Sequence, residues 1–270
     1  TMLSGAAHDG NGAALAGMGV DATDLDADGR PELFVTNFLN EYNNLYHNQG
    51  NGFFEDISVS SGLGPDSLPE VKWGTLLTDL DNDGLPDVLV VSGHVDDNLH
   101  ELGRQEPHRQ RAKVWRHRGR MRFENVSDGA GDYFATRHVS RGAAFGDLND
   151  DGRTDVVVVN LDQHPAVLLN QSDDSAGWVR FHLTGRTSNR DVVGCLIQLE
   201  AGGNKHYRAI KGGGSYLSAH DLRVLIGVGG AAQVDSVTIT WPSGTETFRE
   251  NLSLRQTFHL VEPLRTSARD

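Results

Sequence analysis

Three stretches of this sequence repeat one pattern and decide the fold: residues 24–37 read DLDADGRPELFVTN, residues 79–92 read DLDNDGLPDVLVVS and residues 147–160 read DLNDDGRTDVVVVN. Each stretch fits the pattern D-x-[DN]-x-[DN]-G-x-x-[DE] and runs directly into strand-forming residues. A repeat of roughly 55–70 residues that contains several short strands is typical of the blades of a β-propeller. The sequence therefore predicts an all-β fold built from propeller blades.

The repeated loops carry oxygen ligands at alternate positions, which is the arrangement that a hard cation requires. Calcium takes about 6–8 oxygen ligands from carboxylates, amides and backbone carbonyls, and a glycine at position 6 permits the sharp turn around the ion. The side chains at positions 1, 3, 5 and 9 and the backbone carbonyl at position 7 then form the shell. We predict about three calcium ions, held by Asp24, Asp26, Asp28, Arg30 and Glu32 in the first loop, by Asp79, Asp81, Asp83, Leu85 and Asp87 in the second, and by Asp147, Asn149, Asp151, Arg153 and Asp155 in the third.

Two other interpretations of these loops are weaker. An EF-hand needs a glutamate at position 12 and flanking helices, whereas position 12 here is Val35, Val90 or Val158 inside an apolar strand. Polar β-turns without a metal would leave the neighbouring carboxylates of each loop to repel one another. Because protein groups fill each predicted shell, we expect the ions to stabilise the fold rather than to catalyse a reaction.

A different all-β pattern follows the third repeat. The segments WVRFHLTG (178–185) and VTITWPSGTETF (237–248) alternate apolar and polar residues, and PSG at 242–244 predicts the turn of a hairpin. The triple glycine at 212–214 precedes no helical pattern, so it indicates a tight corner rather than a phosphate-binding loop. We predict propeller blades over residues 1–171 and a small β-sandwich over residues 176–263.

The composition argues against several classes of protein. The chain has 24 lysine and arginine residues against 37 aspartate and glutamate residues, and its net charge of −13 argues against a nucleic-acid partner. No window approaches the ~18 consecutive apolar residues of a membrane-spanning helix. The single cysteine, Cys195, excludes an internal disulfide framework.

The loops and the C-terminal segments resemble known families. The three loops are similar to the FG-GAP/VCBS repeats of integrin-α-like β-propellers. Three later segments, SNRDVVGCLIQLEAGG (188–203), KGGGSYLSAHD (211–221) and VDSVTITWPSG (234–244), resemble the ASPIC/UnbV domain. The order of repeats and domain is similar to the cartilage acidic protein family and its bacterial relatives. This resemblance implies a secreted, calcium-loaded, seven-bladed propeller followed by a C-terminal sandwich.

Three repeats are too few to close a propeller ring, and an open blade edge promotes association. We therefore expect the chain to be the C-terminal part of a longer protein, or to pair with a second copy of itself. The expected location is secreted, periplasmic or at the cell surface, with a signal peptide that is not present in this chain.

No motif in the sequence identifies a reaction, because Ser-His-Asp elbows, Walker loops and dinucleotide fingerprints are missing. The leading functional prediction is a calcium-stabilised module that binds an extracellular protein or carbohydrate, and neither nucleic acid nor membrane. The alternative is an enzyme, a hydrolase, lyase or cyclase of a biosynthetic pathway, with its site on the propeller face near the His94–His108 loop. There, His94, Asp96 and His100 are candidates for a transition-metal or acid–base site.

Overall fold

Each of the three repeats folds into an antiparallel β-meander. In the computed structural model, which describes residues 4–173 and 175–264, these meanders are three separate sheets. Their strands, in chain order, are β1 (Val20–Thr23), β2 (Glu32–Val35), β3 (Asn44–Gly50) and β4 (Phe53–Asp56) in the first blade, β5 (Lys72–Thr78), β6 (Asp87–Ser92), β7 (Lys113–His117) and β8 (Phe123–Asn125) in the second, and β9 (Ser140–Gly146), β10 (Asp155–Asn160) and β11 (Ala166–Leu168) in the third.

The prediction of an all-β propeller fold is confirmed by this arrangement. Helical structure in the described residues is limited to single turns, namely α1 (Ser58–Ser61), α2 (Asp132–Ala135) and the 3-10 turns Pro65–Ser67 and Ser127–Gly129. Across residues 4–173 and 175–264, no helix has the length and apolar character that crossing a membrane requires.

In every blade, the repeated loop joins the first strand to the second. The loop turns at a glycine with positive φ, a conformation that a β-carbon disfavours: φ is 85° at Gly29, 93° at Gly84 and 81° at Gly152. Position 9 of each loop is the first residue of the second strand. The carboxylates at this position, Glu32, Asp87 and Asp155, are all buried.

Apolar cores fill the spaces between neighbouring blades. Phe34 of the first blade and Trp115 of the second belong to one cluster of fully buried side chains. A second cluster joins Leu89 of the second blade to residues of the third. On the other face of the third blade, Val159 and Val167 are 49% and 57% exposed. This outer face is therefore partly apolar and open to solvent.

The C-terminal part forms two sheets around one core. The first sheet has the order β15-β12-β18 and the second has the order β14-β13-β16-β17, where the strands are β12 (Gly177–Thr184), β13 (Leu196–Ala201), β14 (Asn204–Ala209), β15 (Val224–Gly229), β16 (Val234–Thr240), β17 (Glu246–Leu252) and β18 (Gln256–Val261). Phe181, Ile197 and Ile239 are buried between them. The predicted hairpin is confirmed, since Gly244 (φ 81°) turns the chain between β16 and β17.

The sandwich is attached to the blades by segment 211–221, which contains the triple glycine and forms a corner without a helix. The N–H of Ser215 donates to the carbonyl of Val20 at 2.8 Å, and its Oγ accepts the N–H of Thr75 at 3.0 Å. The N–H of Asp221 donates to the carbonyl of Phe145 at 2.9 Å. One segment of the sandwich therefore contacts the first strand of every blade.

Candidate metal sites

The three repeated loops share three internal hydrogen bonds. The first aspartate of each loop accepts the N–H of the position-6 glycine through Oδ2, at 2.8 Å in the first two loops and at 2.9 Å in the third. The position-5 carboxylate accepts the N–H of position 7, and the position-9 carboxylate accepts the N–H of position 2. The backbone of each loop therefore orients three of its predicted ligands.

The first loop gathers carboxylates and one imidazole. Ligand atoms of Asp24, Asp26 and Glu32 lie within 4.8 Å of one another, and so do those of Asp26, Asp28 and His47. Nε2 of His47 is 3.0 Å from Oδ2 of Asp26. Burial raises the pKa of Glu32 to about 7, although the N–H groups of two residues donate to it. His47 belongs to β3 and not to the loop, so the loop pattern did not predict it.

The second loop contains buried carboxylate oxygens that lack hydrogen-bond donors among the described residues. Ligand atoms of Asp79, Asp81 and Asp87 lie within 4.8 Å of one another. Oδ1 of Asp79 and Oδ1 of Asp81 are buried, and no described residue donates a hydrogen bond to either. Burial, with a contribution from neighbouring carboxylates, raises the pKa of Asp79 to about 7 and that of Asp87 to about 8. Arg116 contacts Asp81, and its Nη2 lies 3.4 Å from Oδ2 of Asp83.

The third loop meets arginines from the sandwich. Nη1 of Arg180 is 2.6 Å from Oδ2 of Asp147 and 2.9 Å from Oδ1 of Asp150, and the Arg180 and Asp147 side chains are 8% and 1% exposed. Arg223 donates to the carbonyl of Asp147 at 2.7 Å and to the carboxylate of Asp150 at 2.9 Å. Arg180 donates to Oδ2 of Asp147, which also accepts the Gly152 N–H. The other oxygen, Oδ1, accepts the N–H of Asp151 within the loop. In the described part of the chain, the acids of this loop form no group of three within 4.8 Å.

One strand position distinguishes the surroundings of the three loops. In each blade, the residue after loop position 9 pairs with a residue of the third strand. The next residue along the chain is His47 in the first blade, Arg116 in the second and Leu169 in the third. His47 adds a metal ligand beside its loop, Arg116 adds a positive charge, and Leu169 is 53% exposed and adds neither.

The structure brings together only part of the second candidate site. His94 is fully buried, and its Nδ1 accepts the N–H of Asp96 at 3.0 Å. Its Nε2 has no hydrogen-bond partner among the described residues. His100 is exposed, and across residues 4–173 and 175–264 the three side chains form no ligand group. The three candidate residues therefore do not form a common site, because His94 packs inside the fold against Phe38 whereas His100 lies on the surface.

Comparison with protein families agrees with this architecture. The family model described as FG-GAP-like repeat matches residues 24–90 and 79–158, which together span half of the chain. The chain belongs to the FG-GAP-like repeat family. The model described as ASPIC and UnbV matches residues 185–267 of this FG-GAP chain, so both predicted resemblances are confirmed. Among curated proteins, none matches the chain. Propeller blades followed by an ASPIC and UnbV domain suggest a binding or structural role.

Proposed function

We propose that this FG-GAP chain is a calcium-stabilised binding module. The observation that carries the proposal is the pair of carboxylate oxygens in the second loop, Oδ1 of Asp79 and Oδ1 of Asp81, which are buried and which no donor in the described chain reaches. A buried carboxylate oxygen without a hydrogen-bond donor destabilises the fold, and a bound cation removes that penalty. The side-chain and carbonyl oxygens of the loop pattern suit Ca²⁺ better than a transition metal.

In this proposal calcium has a structural role. The second loop contacts both the third loop and the sandwich, so its order affects both. The carbonyl of Asn82 accepts the N–H of Gly229 in the sandwich at 2.8 Å, and its Nδ2 donates to the carbonyl of Gly152 in the third loop at 2.9 Å. The carbonyl oxygen of Gly84 is 3.3 Å from Nδ1 of His206 in the sandwich. An ion that orders the second loop therefore also orders its contacts with the third loop and the sandwich.

The proposed partner is an extracellular protein or carbohydrate that binds at exposed loop surfaces. A rigid propeller scaffold that displays loops is typical of binding proteins. The proposed location is secreted, periplasmic or at the cell surface, where calcium modules work with dissociation constants of about 10⁻⁴–10⁻³ M. The apolar outer face of the third blade, with Val159 and Val167 exposed, supports self-association as a further property of this module.

Counting bound calcium ions by native mass spectrometry, with the oligomeric state in the same spectrum, tests the proposal. We expect about three ions per chain, and one fewer in a variant that combines Asp79→Asn with Asp81→Asn. An Asp96→Asn variant changes an acid outside the loops and serves as the matched control, with an unchanged count. A chain that binds no calcium at millimolar concentration contradicts the proposal.

An enzymatic site at the His94–His108 loop is the second candidate function. The observation in its favour is the buried Nε2 of His94, which lacks a hydrogen-bond partner within the described residues and is free to ligate a metal. Elemental analysis of the isolated protein tests this candidate. A stoichiometric transition metal that is lost in a His94→Phe variant supports it, whereas calcium alone in both proteins contradicts it.

A further inference from the structure

A cavity of about 70 Å³ lies where the blades meet the sandwich. Its blade side includes Asp79 and Asp147, the first residues of the second and third loops. Its sandwich side includes residues 208–211 and 220–225. A water molecule needs about 10–15 Å³ of such space, so the cavity has room for about five heavy atoms.

His220 lines this cavity with unused hydrogen-bonding capacity. Its side chain is 5% exposed, and neither ring nitrogen has a hydrogen-bond partner among the described residues. The ring stacks on Phe145 with centroids 4.2 Å apart, and Nε2 is 3.8 Å from Oδ2 of Asp21, beyond hydrogen-bond distance. Buried polar groups of native proteins normally have partners, so this imidazole indicates a polar occupant of the cavity.

Two cationic side chains that line the same cavity, Arg208 and Lys211, also have N–H groups that donate to no described residue. Arg208 donates to the carbonyls of Tyr207 and Gly84, at 2.9 and 3.4 Å, which uses two of the five N–H groups of a guanidinium. Nζ of Lys211 donates to the carboxylate of Asp21 and to one backbone carbonyl, which leaves its third N–H. Arg208, Lys211 and His220 therefore line the same small cavity, and each has hydrogen-bonding capacity left.

Two of the three described carboxylates that line the cavity, Asp147 and Asp221, are paired with arginines, and the third is Asp79 of the second loop. Arg180 and Arg223 line the cavity as well, and they neutralise Asp147 and Asp221. The carboxylates that act on Arg208 are Asp79 and Asp24, and neither lies within ion-pair distance of it. Both of these are predicted calcium ligands. Calcium in the loops thus leaves Arg208 without a counter-charge.

We propose that this cavity binds a small oxyanion, with Arg208, Lys211 and His220 as its donors. The ligand class is a tetrahedral anion such as sulfate or phosphate, or a small carboxylate, because each fits the space and accepts several hydrogen bonds. The uncompensated charge of Arg208 follows only if the proposed calcium sites are correct, whereas the lack of partners at His220 does not depend on them. The site joins residues of two sandwich elements to the loop ends of the blades, so the anion would also link the domains.

Thermal unfolding in sulfate and in acetate, at constant ionic strength set with chloride, tests this proposal. We expect a saturable rise in melting temperature with one of the two anions, and at least a tenfold weaker response in His220→Phe, which keeps the ring stacked on Phe145. Lys205→Met removes an exposed lysine of the same strand as Arg208 and is the matched control with an unchanged response. A rise that does not saturate, or one that persists in His220→Phe, overturns the proposal.

A crystal grown with selenate provides a measurement that does not depend on any variant. Anomalous density between Arg208, Lys211 and His220 supports the proposal, whereas ordered water at this place both with selenate and in a second crystal grown with acetate overturns it. Repeating the sulfate titration after calcium removal separates the two proposals. If the chain never binds calcium but its melting temperature still responds saturably to sulfate, the calcium proposal is contradicted and the anion proposal is supported.

Discussion

The second and third loops follow one sequence pattern and share three internal hydrogen bonds, yet they balance their negative charge differently. Of the two, and among the described residues, only in the third loop does Oδ1 of the first aspartate, Asp147, also accept a backbone N–H, that of Asp151. In the second loop, Asp79 and Asp81 each keep a buried oxygen to which no described residue donates. In the third loop, the buried Asp147 is paired with Arg180 from β12 of the sandwich. The pattern therefore supplies the same kinds of ligand to both loops, whereas local hydrogen bonds and the surrounding fold determine which of their oxygens still require a cation.

Calcium removal is expected to produce the largest change. Binding to the folded state alone contributes about 2.7 kcal/mol per site at a 100-fold excess over Kd, or about 8 kcal/mol for three sites. With ~2–4 °C per kcal/mol for a chain of this size, the melting temperature should fall by roughly 15–30 °C. Circular dichroism melts in EDTA, followed by calcium or magnesium re-addition, measure this. An unchanged melting temperature in EDTA contradicts the prediction.

The calcium-free protein is expected to lose stability as the pH rises. The folded-state pKa values of Asp79 and Asp87, about 7 and 8, lie above the ordinary value of 3.8. The folded chain therefore holds protons that the unfolded chain releases, and this contribution is lost as the pH rises through 7 and 8. Because one pKa unit corresponds to about 1.4 kcal/mol, the loss should reach several kcal/mol.

Melting temperatures between about pH 5 and pH 8.5 in EDTA measure this dependence. Asp79→Asn should flatten the curve more than Asp147→Asn does. Burial also raises the pKa of Asp147, but the Gly152 N–H and Arg180 counteract it. Equal slopes in the two variants would show that the arginine of the third loop does not distinguish it from the second.

The fold and the loop ligands could be predicted because their signals are local. A glycine at position 6, carboxylates within nine residues and a following apolar run all lie in one short stretch of sequence. The groups that make the loops different come from elsewhere in the chain. His47 reaches Asp26 across 21 positions and Arg180 reaches Asp147 across 33. Finding His47 would have required the register between β2 and β3.

The burial of His94 could not be predicted from the sequence for a related reason. The segment around it is rich in charged residues, which is typical of a solvated loop. The backbone nevertheless returns to the fold, because the N–H of His94 donates to the carbonyl of His108 at 2.9 Å and Arg141 donates to the carbonyl of His94 at 3.1 Å. Composition describes the loop as a whole and does not indicate which of its residues points inward.

Replacing one arginine beside each loop sharpens the comparison between them. Arg180→Met leaves the carboxylate of Asp147 buried without its partner, so we expect a loss of about 3–5 kcal/mol in the calcium-free chain. Arg116→Met is the matched change at the second loop, and we expect about 1 kcal/mol or less because the Arg116 side chain is 39% exposed. Urea unfolding measures both. A larger loss for Arg116→Met would contradict the assignment of the buried ion pair to the third loop.

Substitutions at the position-6 glycines distinguish backbone strain within a loop from the contact between a loop and the sandwich. Their expected effects on stability are smaller than that of calcium removal. Gly29→Ala and Gly152→Ala both place a β-carbon at a φ above 80°, which costs about 1–2 kcal/mol. At Gly29 the new carbon would meet Tyr207 at 3.6 Å, an ordinary contact, whereas at Gly152 it would overlap the indole of Trp178 in the sandwich. That overlap should add about 1–3 kcal/mol and should change the tryptophan fluorescence of the folded state only in Gly152→Ala. Equal losses in the two variants, with unchanged fluorescence, would mean that the third loop and the sandwich are not in contact.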